Sequence, residues 1–203
     1  MSSDRALPLP ELRLVEQAQR GDRAAFGTLV RQAAPQLERL ALRLLGDRHD
    51  AEDATQEAVL YAWRRLDTFR GEARFTTWMH RILVSRSLDA LRRRRRTAEV
   101  VPPAAPTEAT PDDVAALHLG PDALVAGADL EDAVRAAIDA LPPVQRATLL
   151  LRVDHGLPYD EIAYVLGSTR NAVRANLVAA RKRLAVTLRG VVDLGGGSGE
   201  ASA

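Results

Sequence analysis

The chain has 203 residues, 46% of them hydrophobic, with a net charge of +1 and no cysteine. That length suits one ordinary domain or two small ones, and the apolar share supports a packed core rather than wholesale disorder. The lack of cysteine excludes disulfides and thiolate metal sites and fits a reducing, cytoplasmic setting, no segment approaches the roughly 20 apolar residues of a membrane-spanning helix, and the stretch around Pro8 and Pro10 does not read as a signal peptide.

Alanine, leucine and arginine are abundant while aromatics make up only 4%, which predicts an all-α fold. Two small helical domains are expected, joined by a Pro-rich acidic linker. The first covers residues 11–96. Leu14 and Ala18, then Phe26, Leu29 and Val30, then Leu37, Leu40, Ala41 and Leu44 recur at three and four, giving one apolar face per helix. Gly21-Asp22 separates the first two helices, with Asp22 placed to cap the second. Gly46-Asp47 ends the second and opens the third. In the third helix Ala51, Ala54, Ala58, Ala62 and Leu66 form an inward stripe, and Asp53, Gln56, Glu57, Leu60 and Arg64 fall on another face. A break over Asp67–Arg74 contains Gly71. The last helix of this domain is predicted from about Phe75 to Arg96, roughly 30 Å long.

Residues 97–128 hold Pro102, Pro103, Pro106, Pro111 and Pro121 among Ala, Thr and acidic residues and read as an extended linker. From Thr97 to Val134 there is no Lys or Arg, so the near-neutral sum hides basic flanks around an acidic middle. Residues 129–189 form the second helical domain, and 190–203 are expected to be a flexible tail. Leu141-Pro142-Pro143 separates two helices. Pro158 suits a helix start, Asp160–Leu166 makes a short helix ended by Gly167, and Ser168-Thr169 offers a cap for a long helix from Arg170 to about Arg189. A short helix, a glycine turn and a longer helix form the helix-turn-helix pattern.

Three groups of residues carry candidate chemistry. On the long C-terminal helix, Val173, Leu177, Ala180, Leu184 and Leu188 share one face. The others carry Arg170, Asn171, Arg174, Asn176, Arg181 and Lys182, residue types that can read base edges in a major groove. The alternative is an ordinary amphipathic surface helix. The five arginines Arg92–Arg96 invite phosphate contact, since adjacent guanidiniums repel one another without an anionic partner. Their other reading is a solvated charge run at a helix end. Phe69, Phe75 and Trp78 surround the loop before that helix, and aromatics beside cations can stack unpaired bases. Core filling is the better reading for at least one of Phe75 and Trp78, which leaves the loop Thr68–Arg74 as the better grip for an extruded base.

The acidic stripe Asp50, Asp53, Gln56, Glu57 suggests a docking face for a basic partner. No histidine joins it at ligand spacing, so no metal site is expected there. His49, His80, His118 and His155 form neither a triad nor a zinc motif. No phosphate-cradling Gly loop and no nucleophile motif is found, so neither catalysis nor a cofactor is expected.

Taken in order, several segments resemble bacterial RNA polymerase sigma factors of the sigma-70 family, in the extracytoplasmic-function (ECF) group. They are Gly21-Asp22-Arg23-Ala24-Ala25-Phe26, Asp50-Ala51-Glu52-Asp53 with Gln56-Glu57, Ala62-Trp63, Phe69-Arg70-Gly71-Glu72, Phe75-Thr76-Thr77-Trp78 and Leu88-Asp89-Ala90-Leu91-Arg92. The second domain adds Leu141-Pro142-Pro143, Gln145-Arg146, Leu149-Leu150-Leu151-Arg152, Tyr159-Asp160-Glu161-Ile162-Ala163 and Leu166-Gly167.

The resemblance implies that the first domain is sigma region 2. Asp50, Asp53, Gln56, Glu57 and Leu60 would dock on the clamp helices of the polymerase β′ subunit. Phe69, Arg70, Gly71, Arg74, Phe75, Trp78, Arg81, Arg86, Arg92 and Arg93 would melt and hold the −10 element. The second domain would be region 4, bound to the β flap. It would place Thr169, Arg170, Asn171, Ala172, Arg174, Ala175, Asn176, Val178 and Arg181 at the −35 major groove. The linker would thread the polymerase channel, and an anti-sigma protein is a partner the family often shows. Two departures stand out: Asn176 and Ala179 replace usual arginines and Ala175 a usual serine, and Val84 and Ser85 stand where Arg and Asn are common. Two rival readings are a helix-turn-helix regulator acting without polymerase and a protein-interaction module.

Overall fold

The computed structural model describes residues 8–99 and 130–195, and side chains within 8–94 and 132–189. The described residues form α1 (Leu9–Gln19), α2 (Arg23–Leu45), α3 (Arg48–Arg64), a single 3-10 turn (Leu66–Thr68), α4 (Phe75–Glu99), α5 (Leu130–Asp139), α6 (Pro143–Val153), α7 (Tyr159–Leu166) and α8 (Arg170–Gly195). No strand occurs among them.

Helices α1–α4 pack together, with α2 touching each of the other three. Leu37, Leu40, Ala41 and Leu44 of α2 are 0% exposed. Burying each leucine stabilises the fold by about 1.5–3 kcal/mol relative to leaving it in water. The stripe Ala51, Ala54, Ala58 and Ala62 is buried as its spacing implies, and so is Leu66. Small residues there let α3 lie close to α2. Thr55, buried beside them, donates to the Ala51 carbonyl at 2.8 Å and so satisfies its own hydroxyl. Asp22 caps α2 by accepting from the backbone of Ala24 and Ala25, and Asp47 caps α3 by accepting from that of Asp50.

The second domain packs α5, α6 and α7 on α8. Gly167 takes φ +59 between α7 and α8. That left-handed conformation suits glycine and sets the angle of the helix-turn-helix. Thr169 Oγ1 then accepts from the Ala172 amide at 3.2 Å, capping α8.

Helix ends differ from the sequence reading. α4 continues through Glu99, so the first residues of the expected linker, 97–99, are helical. No breaker precedes Pro102, which disfavours helix just before it. α8 continues past Arg189 to Gly195, so the tail does not begin at 190. The lone Gly190 costs about 1 kcal/mol in a helix without breaking it. The rest of the linker and the chain after 195 lie outside the described residues.

The domains also touch each other, through α4 with α7 and α6 and through α2 with α6.

Candidate nucleic-acid interface

The loop joining α3 to α4 is fastened from a distance. Gln19, the last residue of α1, donates through its Nε2 to the carbonyls of Leu66 and Phe69, both at 2.9 Å. Glu11 of α1 accepts from the Phe75 amide at 2.6 Å through its Oε1, satisfying an orphan donor at the start of α4. Gly71 takes φ +71 at the tip. The loop is therefore held at its base while Arg70, Glu72 and Arg74 stay exposed.

Phe69, Phe75 and Trp78 are 4%, 1% and 7% exposed, which makes all three core residues first. Phe75 stands edge-on to Phe26 at 6.2 Å and to Phe69 at 5.9 Å, and Trp78 lies 5.1 Å from Phe69. These contacts set the shape of the loop. Phe75 presents no ring to solvent, so its part is support and not stacking. Trp78 keeps an edge on two adjoining recesses of about 300 and 410 Å³, which share Thr68, Trp78 and Arg81. The first also takes in Phe69, Arg70 and Glu72.

Further along α4 the basic side chains are already oriented. The Arg86 guanidinium lies 4.4 Å from the centre of the Tyr61 ring, a cation–π contact that also places it on the wall of the second recess. Arg92 pairs with Asp89 at 3.0 Å, and Arg94 pairs with Asp50 of α3. Arg92 and Arg93 are exposed.

On α3, Asp53, Gln56, Glu57 and Leu60 are all exposed and lie opposite the alanine stripe. Leu60 is 57% exposed, a large apolar side chain amid an acidic face. Asp50 departs from this set: it is half-buried and its carboxylate is engaged by Arg94.

In α8 the buried side is Val173, Leu177 and Ala180. Thr169, Arg170, Asn171, Arg174, Ala175, Val178 and Arg181 are exposed, and Ala172 and Asn176 are half-buried. Arg170 reaches back to Asp160 of α7 at 3.2 Å. Both partners of that ion pair are mostly exposed, so it contributes little to stability and does not withhold Arg170 from a stronger anion.

Residues 29–97 match the family described as sigma-70 region 2, and residues 131–184 match sigma-70, region 4. The chain is 37% identical to the ECF RNA polymerase sigma factor SigE of Mycolicibacterium smegmatis over 81% of its own length and 63% of that relative's. It is 34% identical to the RNA polymerase sigma-H factor of Pseudomonas aeruginosa, covering 84% of this chain and 90% of that one. The chain belongs to the sigma-70 family, in its ECF group. Its fold is similar to that of the sigma factor RpoE from Bartonella quintana, solved in complex with the anti-sigma factor NepR, with a TM-score of 0.60 at 22% identity, covering 81% of this chain and 96% of that one.

The region 2 match runs from within α2 to α4, and the region 4 match from α5 into α8. The junction between α1–α4 and α5–α8 brings together groups from distant segments of the chain. Thr77 of α4 donates to the Glu161 carboxylate of α7 at 2.8 Å. The Arg81 guanidinium lies 4.7 Å from the centre of the Tyr164 ring. Arg146 of α6 donates to the Leu44 carbonyl at 3.0 Å, and Arg43 approaches Asp154 at 3.8 Å. His80 meets His155 edge-on, with ring centres 4.9 Å apart. Neither ring nitrogen of His80 has a hydrogen-bond partner, and the residue is 1% exposed. Burial, and secondarily His155, pushes its pKa down to about 3. His155 is also lowered, by burial first and by Arg39, while Asp154 opposes the shift.

Among the described residues no group of three or more His, Cys, Asp or Glu could hold a metal ion, and no helix is long and apolar enough to cross a membrane. Glu11, Gln19, Tyr61 and Tyr164 escaped the sequence reading. Nothing local marks them, because each acts on a residue that only the fold brings near.

Proposed function

We propose that this chain is a detachable promoter-specificity subunit of bacterial RNA polymerase, working in the cytoplasm and leaving all chemistry to the core enzyme. The observation that carries the reading is the fixed loop of region 2 at the head of a basic helix. A recess of about 300 Å³ edged by Arg70, Trp78 and Arg81 adjoins a second one lined by Arg81 and Arg86, and Arg92 and Arg93 are exposed further along α4. An unpaired base of the −10 element enters the recess while the arginines follow the phosphates of the non-template strand. Phe69 and Phe75 hold the loop in shape from behind, and Gly71 allows its turn.

Asp53, Gln56, Glu57 and Leu60 dock on the clamp helices of the β′ subunit. Asp50 contributes mainly by tying α3 to Arg94. Region 4 sits on the β flap and lays α8 in the −35 major groove. There Arg170, Asn171, Arg174 and Arg181 supply polar contacts, while Ala175 and Val178 offer methyl groups to thymine. Thr169 and Ala172 bring the helix start to the backbone, and Asn176 stands at the edge of the contact. An anti-sigma protein is a fitting antagonist, given the partner of the Bartonella quintana structure.

Run-off transcription with core polymerase and a pool of genomic fragments tests the proposal. A sigma factor yields transcripts with defined starts. Binding to DNA fragments with no association with core polymerase would favour a stand-alone helix-turn-helix regulator.

A further inference from the structure

Helix α1 precedes the stretch that matches region 2, which begins at residue 29, yet it holds both ends of the loop before α4. Gln19 Nε2 donates to the Phe69 carbonyl at 2.9 Å, and Glu11 Oε1 accepts from the Phe75 amide at 2.6 Å. Residues 70–74 arch between these two anchors, with Gly71 at φ +71. Gln19 follows Glu11 by eight positions, about 12 Å of rise along a helix. Val15 and Ala18, between them, are buried, so α1 cannot slide along the domain without losing packing. These contacts, like the second one from Gln19 to the Leu66 carbonyl, are to main chain, and none uses a loop side chain. α4 has no cap of its own for this purpose. Arg74 stands where Ser, Thr, Asp or Asn is preferred, and no acid lies in the first turn. Glu11 supplies the missing acceptor from the far end of the domain's sequence.

We infer that Glu11 and Gln19 are positioning residues for base selection: α1 is a brace of fixed length that holds the loop in the shape in which the recess tells one unpaired base from another. This rests on the reading of that recess as the −10 grip. Thr68, Phe69, Arg70 and Glu72 of its lining come from the loop and its first anchor. Polar groups discriminate only when they are held in place, because a group that swings pairs with the wrong base edge as readily as with the right one. With one anchor gone, Phe69 and Phe75 keep their aromatic packing but the span between them is no longer set. Arg70 and Glu72 can then still touch a base and lose the ability to refuse one. Phosphate contact from Arg86 and docking by Asp53 and Glu57 lie on other elements and do not pass through the brace.

The test uses the full chain. The parent, Glu11→Ala, Glu11→Gln and Gln19→Glu proteins are each assembled with core polymerase. One promoter recovered from the genomic pool is randomised over its −10 and −35 elements and barcoded in the transcribed region. Sequencing the run-off transcripts then gives the base preference at every randomised position. Glu11→Gln keeps an acceptor for the Phe75 amide, whereas Gln19→Glu keeps the side-chain shape and removes both donors. Thermal melting checks the fold. Because the chain contains no cysteine, a nitroxide on Glu72→Cys, used for this measurement alone, reports the mobility of the loop tip in each background without any transcription.

In Glu11→Ala and Gln19→Glu, preference for the favoured base at the most selective melted position should fall roughly tenfold, the scale of one or two lost hydrogen bonds. The −35 preferences should stay those of the parent, and the loop label should become mobile. Glu11→Gln should keep the parental preference and spectrum. A mobile label with unchanged −10 preference overturns the inference, as does a label that stays immobile in both Glu11→Ala and Gln19→Glu. Equal losses at −10 and −35 overturn it too, since they report a weakened fold and not a positioned loop. A parent chain that directs no transcript with core polymerase refutes the sigma reading, and the role in base selection falls with it. A label freed by Glu11→Ala would in that case still identify α1 as the brace of the loop.

Discussion

Acid should part the two domains, and His80 sets the scale. In the closed arrangement its pKa is held at about 3. Once α7 and His155 move away, the ring meets water and returns to about 6.5. The folded-side value is the depressed one, so the closed form binds fewer protons, and its stability is complete above about pH 6.5 and falls as pH drops towards 3. Between pH 7.5 and 5.5 the linkage expression gives a loss of about 1.4 kcal/mol from His80 alone, or about tenfold in the closed-to-open ratio. His155 is lowered as well and adds to the loss in the same direction. The charges facing the pair are Asp154, which favours protonation, and Arg39 of α2, which opposes it. Arg43 approaches Asp154 and partly neutralises it. The distance between spin labels on cysteines placed at the exposed positions Gln32 of α2 and Ala185 of α8, followed against pH, should lengthen on acidification, and His80→Leu should flatten the response. An unchanged pH profile in His80→Leu would refute the assignment, and a parent chain that stays closed at pH 5.5 would refute the linkage itself.

Glu11→Ala and Gln19→Ala should each slow promoter opening, read by permanganate reactivity of melted thymines, while affinity for core polymerase stays as in the parent chain. Glu11→Gln, which keeps an acceptor for the Phe75 amide, should restore most of the rate. Reversing charge at Asp53 and Glu57 together should weaken core binding in a salt-dependent way, as measured by fluorescence anisotropy, with circular dichroism unchanged. Arg174→Ala should cost about 1–3 kcal/mol of −35 duplex affinity in a gel-shift titration; unchanged affinity would remove α8 from the groove.

The elements of the fold could be read from the sequence because local rules agree with the final packing. Asp22, Asp47 and Gly167 sit where their backbone preferences place them, and the alanines of α3 are buried at the spacing that announced them. Residues on one exposed face were equally legible, since helical periodicity fixes which of Asp53, Gln56, Glu57 and Leu60 point outward together. What periodicity cannot carry is contact between distant segments. Glu11 meets Phe75 and Thr77 meets Glu161 only after the chain has folded. The aromatic loop shows the same limit from the other side. Phe69, Phe75 and Trp78 flank arginines, which leaves stacking open beside core filling, and core filling is the better reading for at least one of Phe75 and Trp78; the fold buries all three. Helix ends were missed where no strong breaker stands, at 97–99 and beyond Arg189.

The unusual recognition helix is less impoverished than its sequence suggests. Asn176 and Ala179 stand where the family resemblance leads one to expect arginine, and both positions are half-buried against the domain. On the proposed placement of α8, arginine at either position would bear on phosphate more than on base edges. Ala175 and Val178 are exposed on the same helix as Arg174. Methyl groups at these two positions next to one arginine favour a site mixing thymine with guanine. The weakened phosphate grip then has to be made up elsewhere in the molecule. The candidate with enough charge is α4, where Arg81 and Arg86 line the two recesses and Arg92 and Arg93 are exposed further along. On the proposed reading, affinity rests more on the melted strand than on the −35 duplex.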